Sequence, residues 1–555
     1  MKTSGTGTVR NRCRWSPLVA LLAAPLSCVG PNVPESRPLW VPDNGDGTYS
    51  NPVIFADYSD PDVIRVGNDF YLVSSSFQCT PGIPVLHSLD LVNWTILGYV
   101  ATNIPYGSFE SPRHGGGIWA PSIRHYAGKF YVYFGDPDYG IFCATAENPA
   151  GPWSSLLRVR QAKGWIDPCP LWDDDGNAYL VHAWSKSRAG FNSVLTVHRM
   201  SPDGLSILDD GIPVFDGHAN HPTIEGPKFY KRNGFYYILA PAGGVRMGWQ
   251  VALRSRSVFG PYEDRIVLAQ GKTPINGPHQ GGWVETASGE SWFIHFQDRG
   301  PYGRITHLQP MAWKDEWPVI GRDADGDGVG EPVLHWKKPD VGTSSPLCAL
   351  PTSDEFDGPR LGLAWQWHAN HRAEWSSLAS RSGFLRLFAV VEPESSKSLW
   401  DVPNLLLQKF PAPAFEVTVH LNAGAISPGE RAGLVVMGRD YSLIAVTNDG
   451  RGMRLTRASC TNADKGGVEK EEEGLPLRPG DLLFRLAVDS AAVCTFSYCE
   501  AGGEFRTLGE RFTAREGVWI GGKVGLFHTA RTAALPPGHT DVDYVRFAHY
   551  AGQGG

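Results

Sequence analysis

Five segments of this chain share one pattern: a small or acidic residue, then Pro, a short polar–apolar stretch, a turn, and an aromatic-rich strand. They begin at Asp60-Pro61 (running to FYLVSSS), Ala120-Pro121 (KFYVYFG), Asp167-Pro168 (NAYLVHAW), Gly226-Pro227 (GFYYILAPAG) and Gly277-Pro278 (SWFIHFQD). In the first four, Gly67, Gly128, Gly176 and Gly234 mark the hairpin between Pro and aromatic strand, and the fifth has a longer turn. The Pro positions recur at roughly 45–60 residues, the spacing of four-stranded propeller blades. Pro just inside an innermost strand fits an edge that lines a central channel, where no neighbour needs its N–H. The reading is an all-β chain whose residues 48–336 form a five-bladed β-propeller.

After residue 336 the pattern changes. A Pro/Ser/Gly-containing linker (337–351) leads into alternating strands such as GFLRLFAV, FEVTVHL, AGLVVMG, LFRLAV and KVGLFHT, separated by turns and lacking the Pro motif. Residues 352–551 therefore read as a β-sandwich. Two domains also suit a chain of 555 residues, which is too long for one ordinary core. Its 64 Gly and 43 Pro speak for short strands and many turns.

A net charge of −7 argues against nucleic acid and anionic membranes as partners. The 19 Trp are compatible with sugar binding, although most of them serve equally well as β-core filler. Residues 1–28 have the layout of a secretory signal peptide: Arg10, Arg12 and Arg14 precede the apolar run SPLVALLAAPLS. Export to the periplasm or the medium is the expectation, with lipid anchoring at Cys28 as an alternative that Pro25 disfavours. The apolar run is too short for a membrane span. Seven Cys remain beyond the leader, with no CxxC pair and nothing resembling a zinc site, and at most one disulfide is expected, within 460–499.

Three blades place a carboxylate where the innermost strands converge: Asp60 in YSDPDVIR, Asp167 in WIDPCPLW and Glu225 in TIEGPKFY. Blades two and five carry Trp119 and His279-Gln280 there. Glycosidic hydrolysis needs one carboxylic acid to protonate the leaving oxygen and a second carboxylate as base or nucleophile. Each residue has a plainer reading: Asp-Pro pairs form turns, Glu225 is a solvated edge residue, Arg304 a surface ion-pair partner, and His279 a hydrogen-bonded core histidine. Only their recurrence at one place in three repeats raises the carboxylates above that.

With these motifs in order, the sequence resembles glycoside hydrolase family 43, specifically its two-domain β-xylosidase/α-L-arabinofuranosidase group with a C-terminal concanavalin A-like jelly roll. The resemblance rests on YSDPDVIRVGNDFYLVSSSF, GGIWAPSIR, WIDPCPLWDDDGNAYLV, IEGPKFY, GPHQGG and YGRITHLQPM in the propeller. In the sandwich it rests on LGLAWQWHAN, NLLLQKFPAPAF, ERAGLVVMGRDY and GVWIGGKVGLF. It implies an inverting exo-glycosidase that releases xylose from β-1,4-xylo-oligosaccharides, with arabinofuranose as the alternative glycone. It implies Asp60 as general base, Glu225 as general acid, and Asp167 as the group that orients the acid and raises its pKa by repulsion. Arg304 would bind the sugar, Trp119 and Phe77 would wall its subsite, and His279 would sit deeper on the axis holding a water or calcium.

No cofactor is expected for the chemistry. The loop DADGDGVGE (323–331) begins like an EF-hand but has Leu334 where the twelfth-position Glu belongs, so it reads as a polar loop. Glu355 and Asp543 are candidates to bracket a structural calcium in the sandwich, by similarity to other such sandwiches. Two other functions compete. A retaining fructosidase-type propeller is disfavoured because SDPDV, IDP and EGP stand in place of its motifs. A sugar-binding propeller without catalysis is disfavoured because all three carboxylates are present.

Overall fold

The computed structural model describes residues 38–342, 345–500, 503–532, 537–550 and 552; the proposed signal peptide and Cys28 lie outside them. Residues 62–320 make five four-stranded antiparallel sheets, each from one continuous stretch with strands in sequence order. The blades begin with the strands Asp62–Val66, Trp119–Tyr126, Trp165–Trp172, Lys228–Arg232 and His279–Glu285. The first strands of blades one, two, three and four pack in succession, and that of blade five packs on that of blade one. Outside the blades, a separate two-stranded ribbon pairs Thr48–Ser50, before the first blade, with His335–Lys337, after the fifth. Among the described residues, the single α-helix is the four-residue Lys186–Ala189.

Each blade carries one left-handed residue where its innermost strand starts: Asp60 (φ 55°), Ala120 (φ 35°), Asp167 (φ 56°), Gly226 (φ 59°) and Gln280 (φ 38°). In blades two, three and five the ladder is bulged at this point, between Trp119 and Ser122, Ile166 and Cys169, and His279 and Gly281. Backbone of this kind re-aims a side chain, and Asp and Gly tolerate it better than other residues. The repeat also corrects the sequence alignment in one detail. Asp60 and Asp167 occupy the left-handed position itself, whereas Glu225, Trp119 and His279 stand one residue before it. The fifth-blade counterpart is Gln280, three residues beyond Gly277.

The second domain is a sandwich of two eight-stranded sheets. Phe415–Ala425 shows why: its residues alternate between buried and half-buried along nearly the whole strand, so Phe415, Val417, Val419 and Leu421 fill the space between the sheets. Cys460 belongs to one sheet and Cys494 and Cys499 to the other, the latter pair on one strand at odd spacing and so on opposite faces. The expected bridge does not form: all seven described cysteines are free, with Cys460 and Cys494 in different core clusters.

Propeller and sandwich share a core. Phe55, Tyr302 and Ile305 of the propeller are buried in the same cluster as Trp367, Phe410 and Phe415. Thr80 and Trp367 exchange backbone hydrogen bonds of 3.1 and 2.6 Å across the junction. No helix among the described residues is long and apolar enough to cross a membrane.

Candidate active site

Asp60, Phe77, Trp119, Asp167, Glu225, His279 and Arg304, all seven residues singled out in the sequence, line one cavity at the axis of the propeller. Five of them stand at or beside the left-handed residues where the innermost strands start, while Phe77 follows the second strand of blade one and Arg304 opens the third strand of blade five. Asp60 is 4% exposed, and both its oxygens are engaged. Ser75 Oγ donates to Oδ2 at 2.5 Å, and Arg304 Nη1 donates to Oδ1 at 3.0 Å. Ser75 Oγ in turn accepts the N–H of Ala120 at 2.7 Å, which ties blade one to blade two. The Arg304 guanidinium lies 4.7 Å from the centroid of Phe296, so an aromatic ring and a carboxylate fix its plane.

Asp167 is buried, and its Oδ2 accepts the Gly226 N–H at 2.8 Å. Burial, then the charge of Glu225, then that of Asp60, push its carboxyl up to about 8, while the Gly226 N–H and the Lys228 ammonium work the other way. The repulsion expected between Asp167 and Glu225 is thus present, but it is mutual. Asp167 is the more buried partner, so its own carboxyl rises. Glu225 is about one-third exposed and reaches His279, with Oε1 3.2 Å from Nε2. His279 is 1% exposed, and its Nδ1 has no partner. That nitrogen suits a water; calcium takes six to eight oxygens, and an imidazole beside a single carboxylate is a poor match.

A second tier of charge lies further along the same strands. Asp62 accepts Arg124 Nη1 at 2.7 Å, and the fully buried Lys228 donates to the Pro121 carbonyl at 3.1 Å. At ordinary charges the axis carries four carboxylates, Asp60, Asp62, Asp167 and Glu225, against three cations, Arg124, Lys228 and Arg304. One proton on the carboxylates balances the set.

Phe77 and Trp119 form an edge-to-face pair with centroids 6.3 Å apart, and the indole N–H of Trp119 donates to the Gly115 carbonyl at 2.9 Å. One further wall residue was not anticipated. Trp519, from the sandwich, lines the same cavity with its ring centroid 5.6 Å from the Arg304 guanidinium, and it is 49% exposed. A Trp between turn-forming glycines in GVWIGG was the available signal, since a core Trp has no need of such a turn. Val245 and Gln280 also line the cavity.

The other expectations fare differently. Asp323, Asp325 and Asp327 do draw together in their loop, at the propeller's periphery and away from this cavity. Glu355 is held by both arms of Arg546 at 2.7 Å, and Asp543 by His420 at 2.8 Å, so a basic side chain already engages each of the proposed calcium-bracketing carboxylates. A separate crevice between the domains, lined by Trp40, Phe55, Tyr58, Trp94 and Lys409, has no carboxylate in its walls.

A five-bladed propeller with carboxylates, an arginine and aromatic walls at its axis defines a glycoside-hydrolase type of protein. Residues 49–318 match the model of glycosyl hydrolases family 43, and residues 353–548 match that of the beta xylosidase C-terminal concanavalin A-like domain. The chain is 41% identical over 491 residues to a putative beta-xylosidase of Xylanibacter ruminicola, covering 88% of this chain and 87% of that protein. It is 32% identical over 509 residues to a non-reducing end alpha-L-arabinofuranosidase of Bacteroides ovatus, covering 86% and 90%. The crystal structure of a xylan beta-1,4-xylosidase from Bacillus halodurans superposes with a TM-score of 0.79 at 26% identity, over 90% of this chain and all of that one. The chain belongs to glycoside hydrolase family 43, and it is a glycoside hydrolase.

Proposed function

We propose that this enzyme is an inverting exo-glycosidase that removes single β-D-xylose units from the non-reducing ends of xylo-oligosaccharides. The observation that carries this reading is the cavity itself: three carboxylates and Arg304 at its floor, with aromatic walls from both domains. A wall supplied by the sandwich suits a pocket that holds one terminal sugar better than a groove open at both ends.

In this mechanism Asp60 is the general base. With one oxygen bonded to Ser75 and the other to Arg304, its remaining lone pairs are left to orient and deprotonate a water. Glu225 is the general acid; it starts the cycle protonated and delivers that proton to the leaving oxygen. Its partial exposure gives it access to solvent for reprotonation. Asp167 positions the acid and competes with it for the single proton that balances the axis. Arg304 binds sugar hydroxyls while holding Asp60, and Phe77 and Trp119 pack on the apolar edge of the ring. No metal or cofactor enters any of these steps. Residues 1–28 are proposed to export the enzyme, which would meet polymeric substrate outside the cytoplasm.

Arabinofuranose is the second glycone to test, because a relative at 32% identity carries that activity in its name. The experiment compares hydrolysis of p-nitrophenyl β-D-xylopyranoside and α-L-arabinofuranoside by the leaderless protein and by Asp60→Ala. Release by the first and not the second supports the reading, and the ratio of the two substrates names the sugar. Equal release by both proteins overturns the assignment of Asp60.

A further inference from the structure

Asp57 lies three residues before Asp60, is 5% exposed, and touches none of the groups that would react. Its carboxylate nonetheless joins the two domains at the active site. Oδ1 accepts the backbone N–H of Arg304 at 2.9 Å, and Oδ2 accepts the backbone N–H of Gly521 at 3.0 Å. Gly521 belongs to the sandwich, two residues beyond Trp519. The Asp57 carbonyl accepts a third bond, 2.6 Å from Nζ of Lys409 in the sandwich, whose ammonium stands 3.8 Å from the centroid of the Tyr58 ring.

The surrounding backbone is built for this close approach. Gly303 has φ +73°, and a Cβ on it would stand 2.5 Å from the Asp57 Cβ; a Cβ on Gly521 would stand 2.7 Å from the Gly303 nitrogen. The Gly522 N–H donates to the Pro301 carbonyl at 2.7 Å, one step further along the same seam. On the sandwich side, Gly517 N–H donates to Ile520 O at 2.8 Å, closing a tight turn with Trp519 at φ +64°. The turn that presents Trp519 is therefore pinned immediately after the indole, and the pin is a side chain that also holds Arg304.

We propose that Asp57 is a positioning residue for sugar binding: its carboxylate clamps the Trp519 turn of the sandwich to the backbone of Arg304, so that both present one fixed wall to the bound sugar. This rests on the reading of the axial cavity as the sugar subsite. Trp519 and the Arg304 guanidinium meet the sugar in the ground state and the transition state alike, so loosening the clamp weakens uniform binding and raises KM with little change in kcat. General damage to the fold lowers the active fraction, and with it the apparent kcat, at unchanged KM.

Asp57→Asn is the informative substitution. It keeps the shape and one acceptor but turns an amide donor toward the second backbone N–H. For p-nitrophenyl β-D-xylopyranoside, KM is expected to rise about tenfold, equivalent to about 1.4 kcal/mol, with kcat within about twofold. In the Trp519→Ala background the same substitution adds little, because the turn then has nothing to position. Hydrogen exchange followed by mass spectrometry supplies a readout that needs no substrate: the peptide carrying Gly521 exchanges faster in Asp57→Asn while the blade strands stay protected. An unchanged KM, or full additivity with Trp519→Ala, overturns the proposal. If the wild type cleaves no pentoside, the functional reading fails on its own, and unchanged exchange at Gly521 then overturns the clamp.

Discussion

Replacing Asp167 with Asn tests the electrostatics of the axis through the stability of the whole enzyme. The Asp167 carboxyl, ordinarily near 3.8, is pushed up to about 8 by burial and by the charges of Glu225 and Asp60. Between those two values the folded protein keeps a proton that the unfolded chain has released. Its stability therefore falls as pH rises from about 4 to about 8, and the full penalty is present above that. Four pH units correspond to an upper bound of roughly 5 kcal/mol. Part of it is mutual repulsion, which either carboxyl of the pair relieves by taking the proton, so about 3 kcal/mol is the working figure.

Asn at position 167 keeps an oxygen to accept the Gly226 N–H and never ionises. The variant should match the wild type near pH 4.5 and become the more stable protein by pH 8.5. For a chain of this size the unfolding entropy is of order 1 kcal/mol per degree, so the difference in Tm should open to about 3 °C. Scanning calorimetry of both proteins across that range makes the comparison. A Tm difference that does not change with pH, or one that shifts in favour of the wild type as pH rises, refutes the argument.

Other substitutions follow from the same geometry. Glu225→Ala should slow cleavage of xylobiose by roughly 10²–10⁴-fold while costing an aryl xyloside far less, because its leaving group needs little protonation; steady-state kinetics on both substrates decides, and equal losses contradict the acid role. Arg304→Lys keeps the charge but loses the planar fork that bonds Asp60 beside Phe296, and kcat/KM should fall about 100-fold or more, equivalent to about 3 kcal/mol. A chain ending at residue 352 uncovers Phe55, Tyr302 and Ile305 and strips the Tyr302 hydroxyl of its bonds at Pro413, Asp489 and Ala492. It should aggregate or lack activity, and a soluble, fully active propeller in gel filtration and assay would contradict the shared core.

The sequence carried most of the architecture because each blade repeats the same local physics. A Pro where no ladder partner needs an N–H and an aromatic strand one hairpin later are visible without any long-range information. Asp60, Trp119, Asp167, Glu225 and His279 were legible for the same reason, since they recur at one place in the repeat, whereas Phe77 and Arg304 were reached only through the family resemblance. What composition does not mark is the left-handed backbone at the residue before each of the first four Pro, which Asp60 and Asp167 occupy themselves and Glu225 precedes by one residue. Trp519 and Asp57 escaped for a different reason. Their roles exist only once Gly521 and Gly303 are in contact, 218 residues apart in sequence; the GVWIGG turn marks Trp519 as exposed but not what it faces, and nothing local marks Asp57. The expectation of a disulfide failed likewise on long-range structure, because Cys460 packs with Leu399 and Tyr441 in one cluster and Cys494 in the core between the sheets.

The most direct test of the account is the anomeric configuration of the sugar first released from xylobiose, followed by proton NMR before mutarotation. A water activated by Asp60 on the face opposite the leaving group delivers α-D-xylose from the β-linked substrate, and that is the expected signal. Initial release of β-D-xylose would mean that a carboxylate attacks the sugar directly, and the assignment of Asp60 as base and Glu225 as acid would fall with it.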